Sequence, residues 1–367
     1  MRYRIRNRFT EGTAVRRALP AGLAAAALGI APVAAPAASA AEPAAAPVWQ
    51  DVSVPQLPAS TTMTDIAAAG PHAAWAVGGQ SSPSAPALLR WDGHAWRTEA
   101  LPASVGRGGL RAVAAAGPRS AWAIGDPQAD GSGTAVHWNG AAWQRVAFPA
   151  GLTGLDVSAP RGGGGAWAAG QDYGTSAPAV LHYEHGAWVK KDIPAGELAV
   201  LSISARSGHD VWLGGMDRTT DTPFLYHWDG TAWSEARIQK PLWGAIKRIV
   251  AVSPEDVWAY RTDLIIGAEH TLLHWDGTSW TEIPVPESTG AYAGLTTDGH
   301  GGVWMSTAFT QHSSTYLHYS GGQWTTVHGP DRGAAYIGIN DIERLPGHGP
   351  ILSIGYDSST PISEALR

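Results

Sequence analysis

Apolar and polar residues alternate in short runs along most of this chain, and the runs end at Gly, Pro, Asp or Asn. The pattern is complete between Lys247 and Val285. Lys247 to Val252, Asp256 to Tyr260, His270 to Trp275 and Ser279 to Val285 each read as a β-strand. Asp276-Gly277 separates the last two. An Asp-Gly pair between apolar runs predicts a two-residue hairpin, because a type I′ turn needs φ > 0 at both central residues. The same stretch recurs at Arg90-Trp91-Asp92-Gly93 before Trp96, at His137-Trp138-Asn139-Gly140 before Trp143, and at His227-Trp228-Asp229-Gly230 before Trp233. Looser copies are His182-Tyr183-Glu184-His185 before Trp188 and His318-Tyr319-Ser320-Gly321 before Trp324. In the third copy His185 replaces Gly, which predicts a different turn with Gly186 in the left-handed position.

With the four strands lettered A to D, strand B carries Trp75, Trp122, Trp167, Trp212, Trp258 and Trp304. Strand D carries Trp96, Trp143, Trp188, Trp233, Trp280 and Trp324. The unit recurs about every 45 residues, the period of four-stranded propeller blades. The ends settle the blade count. After Trp324 come one more A strand (Ile337 to Glu343), a B strand (Pro350 to Gly355, with Leu352 at the tryptophan position) and a C strand (Ser363 to Arg367), in which Arg367 is aligned with Arg90. The missing D strand is at the other end, where Trp49-Gln50-Asp51-Val52 reads like Trp280-Thr281-Glu282-Ile283. The expected fold is all-β: a seven-bladed β-propeller of four-stranded antiparallel blades, its ring closed by the N-terminal strand. Residues 48–57 supply the outer strand of blade seven. The blades fall near 60–102, 108–149, 150–194, 195–240, 241–286, 287–330 and 331–367. The in-register tryptophans are expected to pack between blades. The A strands carry small residues such as Ala67-Ala68-Ala69, as expected where strands crowd the axis.

Residues 1–40 read as a secretion signal: an arginine-rich start, an Ala- and Leu-rich apolar run, and Ala38-Ser39-Ala40 as a cleavage pattern. A membrane anchor fits less well because Pro32 and Pro36 interrupt the run. Arg16-Arg17 leaves a twin-arginine route open beside the general one. Residues 41–47 form an Ala/Pro linker. The mature protein is thus expected to be extracellular, free of the membrane and monomeric. A net charge of −6 argues against a nucleic-acid partner. There is no cysteine, which excludes disulfides and thiolate chemistry.

On these His-Trp-Asp-Gly-x-x-Trp repeats the chain resembles secreted bacterial seven-bladed propeller proteins and, more distantly, kelch and galactose-oxidase-type propellers. Galactose oxidase uses a tyrosine crosslinked to cysteine, and that chemistry is not implied here. The Asp-box of sialidase-type propellers, Ser-x-Asp-x-Gly-x-x-Trp, does not match Asp276-Gly277-Thr278-Ser279-Trp280.

No cofactor or metal is expected. The repeated histidines His137, His182, His227, His274 and His318 occupy equivalent places on different blades, so they do not converge on one ion. Without a Gly-x-Ser-x-Gly elbow no catalytic residue is assigned. Function is expected where the blades differ, in the B–C and D–A connections, which share one face. The candidate ligand-binding residues are Asp172, Tyr173, Asp217, Arg218, Arg261 and Asp263 on the B–C loops, with Trp243 on a D–A connection. Trp243 stands outside the repeat, as either a ligand platform or a plug in the channel mouth. The expected ligand is a carbohydrate or an extracellular protein. A glycoside hydrolase or lyase using Asp172, Asp217 and Asp263, and a purely structural protein, are the alternatives.

Overall fold

The structure is a computed structural model. It describes residues 47–367 apart from 162, 164, 241–242, 264–269, 287–290, 334–335 and 359, so the signal and all but the end of the linker lie outside the described residues. Seven sheets follow one another along the chain, each antiparallel and each built inward to outward in the order A, B, C, D. Blade five runs Gly244–Ser253, Asp256–Asp263, Thr271–Trp275 and Trp280–Pro284. Blade seven takes strands A and B from Tyr336–Arg344 and Ile351–Asp357, a broken strand C from Thr360–Ile362 and Glu364–Leu366, and strand D from Trp49–Asp51. Trp49 pairs with Leu366 and Asp51 with Glu364. The expected ring closure is therefore present.

One aligned position is corrected by the ladder. In blade one the B-strand Trp75 lies opposite Arg90, whereas in blade seven the equivalent Leu352 lies opposite Ala365. Ala365, not Arg367, stands where Arg90 does. The break in strand C shifts the count by two residues.

Each blade has two apolar faces, and the core is divided among the junctions. Seven buried clusters each join two neighbouring blades. Trp49, Trp143, Trp188, Trp233 and Trp280 on D strands stand edge-on to the B-strand tryptophan of the preceding blade, at 78° to 87°. None of these five indole N–H groups has a conventional acceptor. The edge-on packing offers each of them the face of a neighbouring ring instead. The two D-strand tryptophans outside this pattern find an oxygen. Trp96, whose neighbouring blade has Leu352 in place of tryptophan, donates to Ser363 Oγ at 2.8 Å. Trp324 donates to the Pro284 carbonyl at 3.0 Å. Ser363→Ala is therefore expected to cost about 1–3 kcal/mol in urea denaturation, because a buried donor loses its acceptor.

The histidines belong to this packing. His182, His274 and His318 stack on Trp167, Trp258 and Trp304. The ring nitrogens of His227, His274 and His318 meet Asp210, Asp256 and Asp298 at 2.9–3.0 Å. In blade one Arg90 lies over Trp75 and Trp138 instead.

The hairpin turns invert the expectation. At the four Asp-Gly and Asn-Gly sites the paired strands end one residue earlier, as at Trp91 opposite Trp96, so the loops hold four residues. Only the glycines have positive φ: Gly93, Gly140, Gly230 and Gly277. The Asp or Asn side chain closes the loop. Asp276 Oδ1 accepts from the Thr278 and Ser279 amides, both at 2.8 Å, an Asx-type turn in place of type I′. Glycine is required there by its φ of 94° and because a Cβ on Gly277 would meet Glu255 at 2.8 Å. The two looser copies are the true two-residue hairpins. Gly321 and Gly322 have φ of 58° and 81°, and His185 and Gly186 have 52° and 86°. The turn at His185 differs from the four Asp-Gly and Asn-Gly loops but matches the one at Gly321. Gly186 is left-handed as expected, while the expectation that His185 would avoid a type I′ turn is corrected. His185 is left-handed too.

Candidate ligand-binding face

In every blade the A strand starts on the face where the B–C connections lie, because neighbouring strands are antiparallel. Four aromatic side chains stand exposed on that face: Tyr173 (76%), Trp243 (46%), Phe309 (62%) and Tyr336 (66%). Among the described residues the other large hydrophobic side chains left open are Val48, Val189 and Val252.

Trp243 is half in solvent and does not plug the channel as a buried side chain. Its neighbour Gly244 donates to the Asp221 carbonyl at 2.7 Å and pairs with Asp263, which fixes it between the B–C loop of blade four and the end of strand B in blade five. It also has a counterpart. Gly244 opposite Asp263 is equivalent to Ile337 opposite Asp357, so Tyr336 holds the position of Trp243 two blades on. Tyr336 pairs with Gln311 of a short strand, Thr310–Gln311, that the blade-six B–C loop adds to the inner edge of blade seven. Phe309 directly precedes that strand.

The other predicted residues divide. Arg218 links two loops, donating to the Ser176 carbonyl at 2.8 Å and to Gln171 Oε1 at 3.2 Å, which ties blade four's loop to the one carrying Asp172 and Tyr173. Asp172 and Asp217 cap their own loops. Asp172 Oδ1 accepts from the Thr175 hydroxyl at 2.8 Å and from the Thr175 and Gly174 amides, and these bonds hold its pKa below the ordinary carboxylate value. Asp217 Oδ1 accepts from the Thr219 amide at 2.8 Å. Arg261 is not a loop residue. It sits inside strand B at 6% exposure, bonded to the Gln239 carbonyl, Glu282 and Thr271. The strand runs three residues further than the sequence pattern suggested, and the arginine is consumed by blade packing. Asp263 ends that strand, and its side chain lies outside the described residues.

The axis differs more from expectation. Each A strand has a bulge, and the residue after it lines the channel in five blades: Asp65, Asp156, Ser202, Arg248 and Asp341 in blades one, three, four, five and seven, while Ala112 of blade two lies in a junction core. Two residues on, Ser158, Ser204, Thr296 and Glu343 form a second polar layer. The innermost strands are thus not uniformly small. They enclose a polar cavity of about 510 Å³. These side chains fasten each blade to the next. Asp65 accepts from the Val113 amide at 2.7 Å, Asp156 from Ile203 at 2.8 Å, and Ser158 from Ala205 at 2.8 Å. Arg248 Nε lies 4.0 Å from Asp341 Oδ1 and donates to the Ala293 carbonyl at 2.9 Å.

Three aspartates and Glu343 gather around Arg248, with Arg161 and Arg206 also on the lining, and the acids are in excess in this half-buried channel. Burial pushes Asp156 up to about 7, with the Asp65 charge acting in the same direction. Burial likewise brings Glu343 to about 7. Asp65 is raised well above its ordinary value by burial and then by Asp341, with which it shares a hydrogen bond. A ring of one residue from each of these five blades is visible only once the bulge register is known, so spacing alone did not reveal it.

The chain matches no protein-family model and no curated protein. Among solved structures it is similar to YCF48 bound to D1 peptide, with TM-score 0.60, 16% identity, 87% of this chain and 97% of that chain covered. It is similar to U3-55K, with TM-score 0.59, 12% identity, 87% and 98% covered. It is also similar to the six-bladed fucose-recognising lectin of Aleuria aurantia, with TM-score 0.51, 12% identity, 74% and 98% covered. These likenesses and the strand order agree on one point: the chain is a β-propeller, here with seven blades.

Proposed function

We propose that this protein is a secreted binding propeller whose ligand, a carbohydrate or an extracellular polypeptide, lies across the face formed by the B–C and D–A connections. The observation that carries the reading is the grouping of Tyr173, Trp243, Phe309 and Tyr336 in solvent on that one face. Aromatic rings held on a rigid scaffold present large apolar area at little entropic cost, which suits both sugar rings and peptide side chains. The peptide held by YCF48 and the fucose recognition of the fungal lectin are precedents for both ligand classes on propellers. Asp172 and Asp217 already serve as loop caps, which favours binding over a hydrolase built on them.

Trp243→Ala tests the reading. A glycan array and capture from extracellular protein, both with purified protein, supply the ligand. The variant is expected to keep the wild-type melting temperature within about 1–2 °C, since a surface change moves stability by no more than ~0.5 kcal/mol. It is expected to lose most of the binding. Unchanged affinity in both Trp243→Ala and Tyr336→Ala contradicts the proposal, and turnover of a glycoside on the array points to the hydrolase alternative.

A further inference from the structure

At one register of the blade junctions, the third residue after the D-strand tryptophan, four of the seven D strands place a branched aliphatic residue, blades one and three place Glu99 and Lys191, and blade four alone places an alanine. Val52, Val146, Ile283 and Val327 there join the junction cores. Blade four has Ala236 at this register. Two carbons fewer than valine leave the wall open, and a groove of about 620 Å³ lies beside it.

Three indoles, Trp212, Trp275 and Trp280, line the groove, with Asp210, Arg237 and Thr278 among its polar groups. It opens on the side of the A–B and C–D turns, since Pro254 and Gly277 also line it. It is therefore separate from the face carrying Trp243. Trp275 and Trp280 are only half-buried, so their rings are open to an occupant. Arg237 is exposed and makes no hydrogen bond among the described residues. Asp210 meets Arg206 and His227 through one oxygen each, and each oxygen keeps a further lone pair.

Aromatic walls with donors and acceptors at the edge suit a ligand that is apolar on its ring faces and hydroxylated around its rim. A purely apolar occupant covers the free lone pairs of Asp210 and the guanidinium of Arg237 without bonding to either. A phosphate meets Asp210 and Glu235 in the same groove. We infer that the junction of blades four and five is a carbohydrate subsite, in which a sugar ring stacks on Trp275 or Trp280 and its hydroxyls bond to Asp210, Arg237 and Thr278. The volume is within the range of small-molecule sites.

The experiment titrates the purified protein with methyl glycosides of glucose, galactose, mannose, fucose and N-acetylglucosamine and follows tryptophan emission. At least one glycoside is expected to give a saturable change. Ala236→Val fills the groove with the residue that blade two carries at Val146, and is expected to weaken that binding about tenfold or more while melting as the wild type does. Arg237→Ala, a surface change, is expected to weaken it as well. Trp243→Ala is expected to leave it unchanged, so failure here and failure of the face are separable. No saturable change with any glycoside, wild-type affinity in Ala236→Val, or loss of the signal in Trp243→Ala each overturns the subsite.

Discussion

Arg332→Ala is expected to lower stability by about 3–5 kcal/mol and to make the ring melt from its closure. Glu364 is fully buried at the junction of blades six and seven. Its carboxylate accepts from Ser314 Oγ at 2.6 Å, from the Tyr316 hydroxyl at 2.9 Å and from Arg332 Nη2 at 2.8 Å. Arg332 also bonds to Asp51 on the closing N-terminal strand. Removing the guanidinium leaves a buried carboxylate with hydroxyl partners only and releases one tie on the strand that closes the ring. The large cost is that of an uncompensated charge, so Glu364→Gln in the same background is expected to recover much of the loss. Denaturant melts of the two single variants and the double variant measure this. Full additivity of the two losses contradicts the account. Deleting residues 48–55 removes the closing strand itself, and an unchanged melting temperature after that deletion contradicts the closure directly.

The second large effect is expected in the channel, and its sign is opposite to the usual one for a carboxylate. Asp156 has a folded-state pKa raised from 3.8 to about 7. A raised acid favours the folded state when protonated. Its contribution is fully present below about pH 4, falls as pH rises through about 7, and is absent above. Glu343, also at about 7, and Asp65 act in the same direction. The charged groups lining the channel are Asp65, Asp156, Asp341 and Glu343 with Arg161, Arg206 and Arg248, and the burial of the four acids outweighs the arginines. The protein is therefore expected to be more stable at pH 5 than at pH 8. Asp156→Asn keeps an oxygen for the Ile203 amide and removes the buried charge. It is expected to raise stability at pH 8 and to flatten the curve between pH 4 and 7. The pKa interval sets a ceiling of about 4 kcal/mol, and water in the channel reduces the gain to the order of half that. Melting curves of wild type and variant across this pH range check the expectation. A variant less stable than wild type at pH 8 contradicts it.

The fold was legible because its determinants are local and repeated. A tryptophan on strand B and another on strand D recur at one spacing, and the complementary truncations at Trp49 and Arg367 point to closure. What depended on exact register was less legible. A four-residue Asx loop and a two-residue type I′ turn can both begin with Asp-Gly, and only the pairing of Trp91 with Trp96 tells them apart. The A-strand bulges decide which residues meet at the axis, so Asp65, Asp156, Arg248 and Asp341, far apart in sequence, gave no common signal. Among the candidate ligand residues, the exposure of Trp243 and Tyr173 fits their being off the repeat. Arg261 was misjudged because a buried arginine held by Glu282 and a carbonyl looks the same in sequence as an exposed loop arginine. Phe309 and Tyr336 were missed: Tyr336 holds the register of Trp243, which only the strand pairing reveals, and Phe309 lies in a B–C loop.

Hydrogen exchange on the purified protein, with and without the glycan or polypeptide returned by the array and capture, tests the ligand face most directly. The account predicts slowed exchange in the loops carrying Tyr173, Arg218 and Phe309 and in the strand starts at Gly244 and Ile337, with the Asp-Gly turns at Gly93 and Gly140 unaffected. Protection confined to the C–D turns, with none at these loops and strand starts, contradicts it.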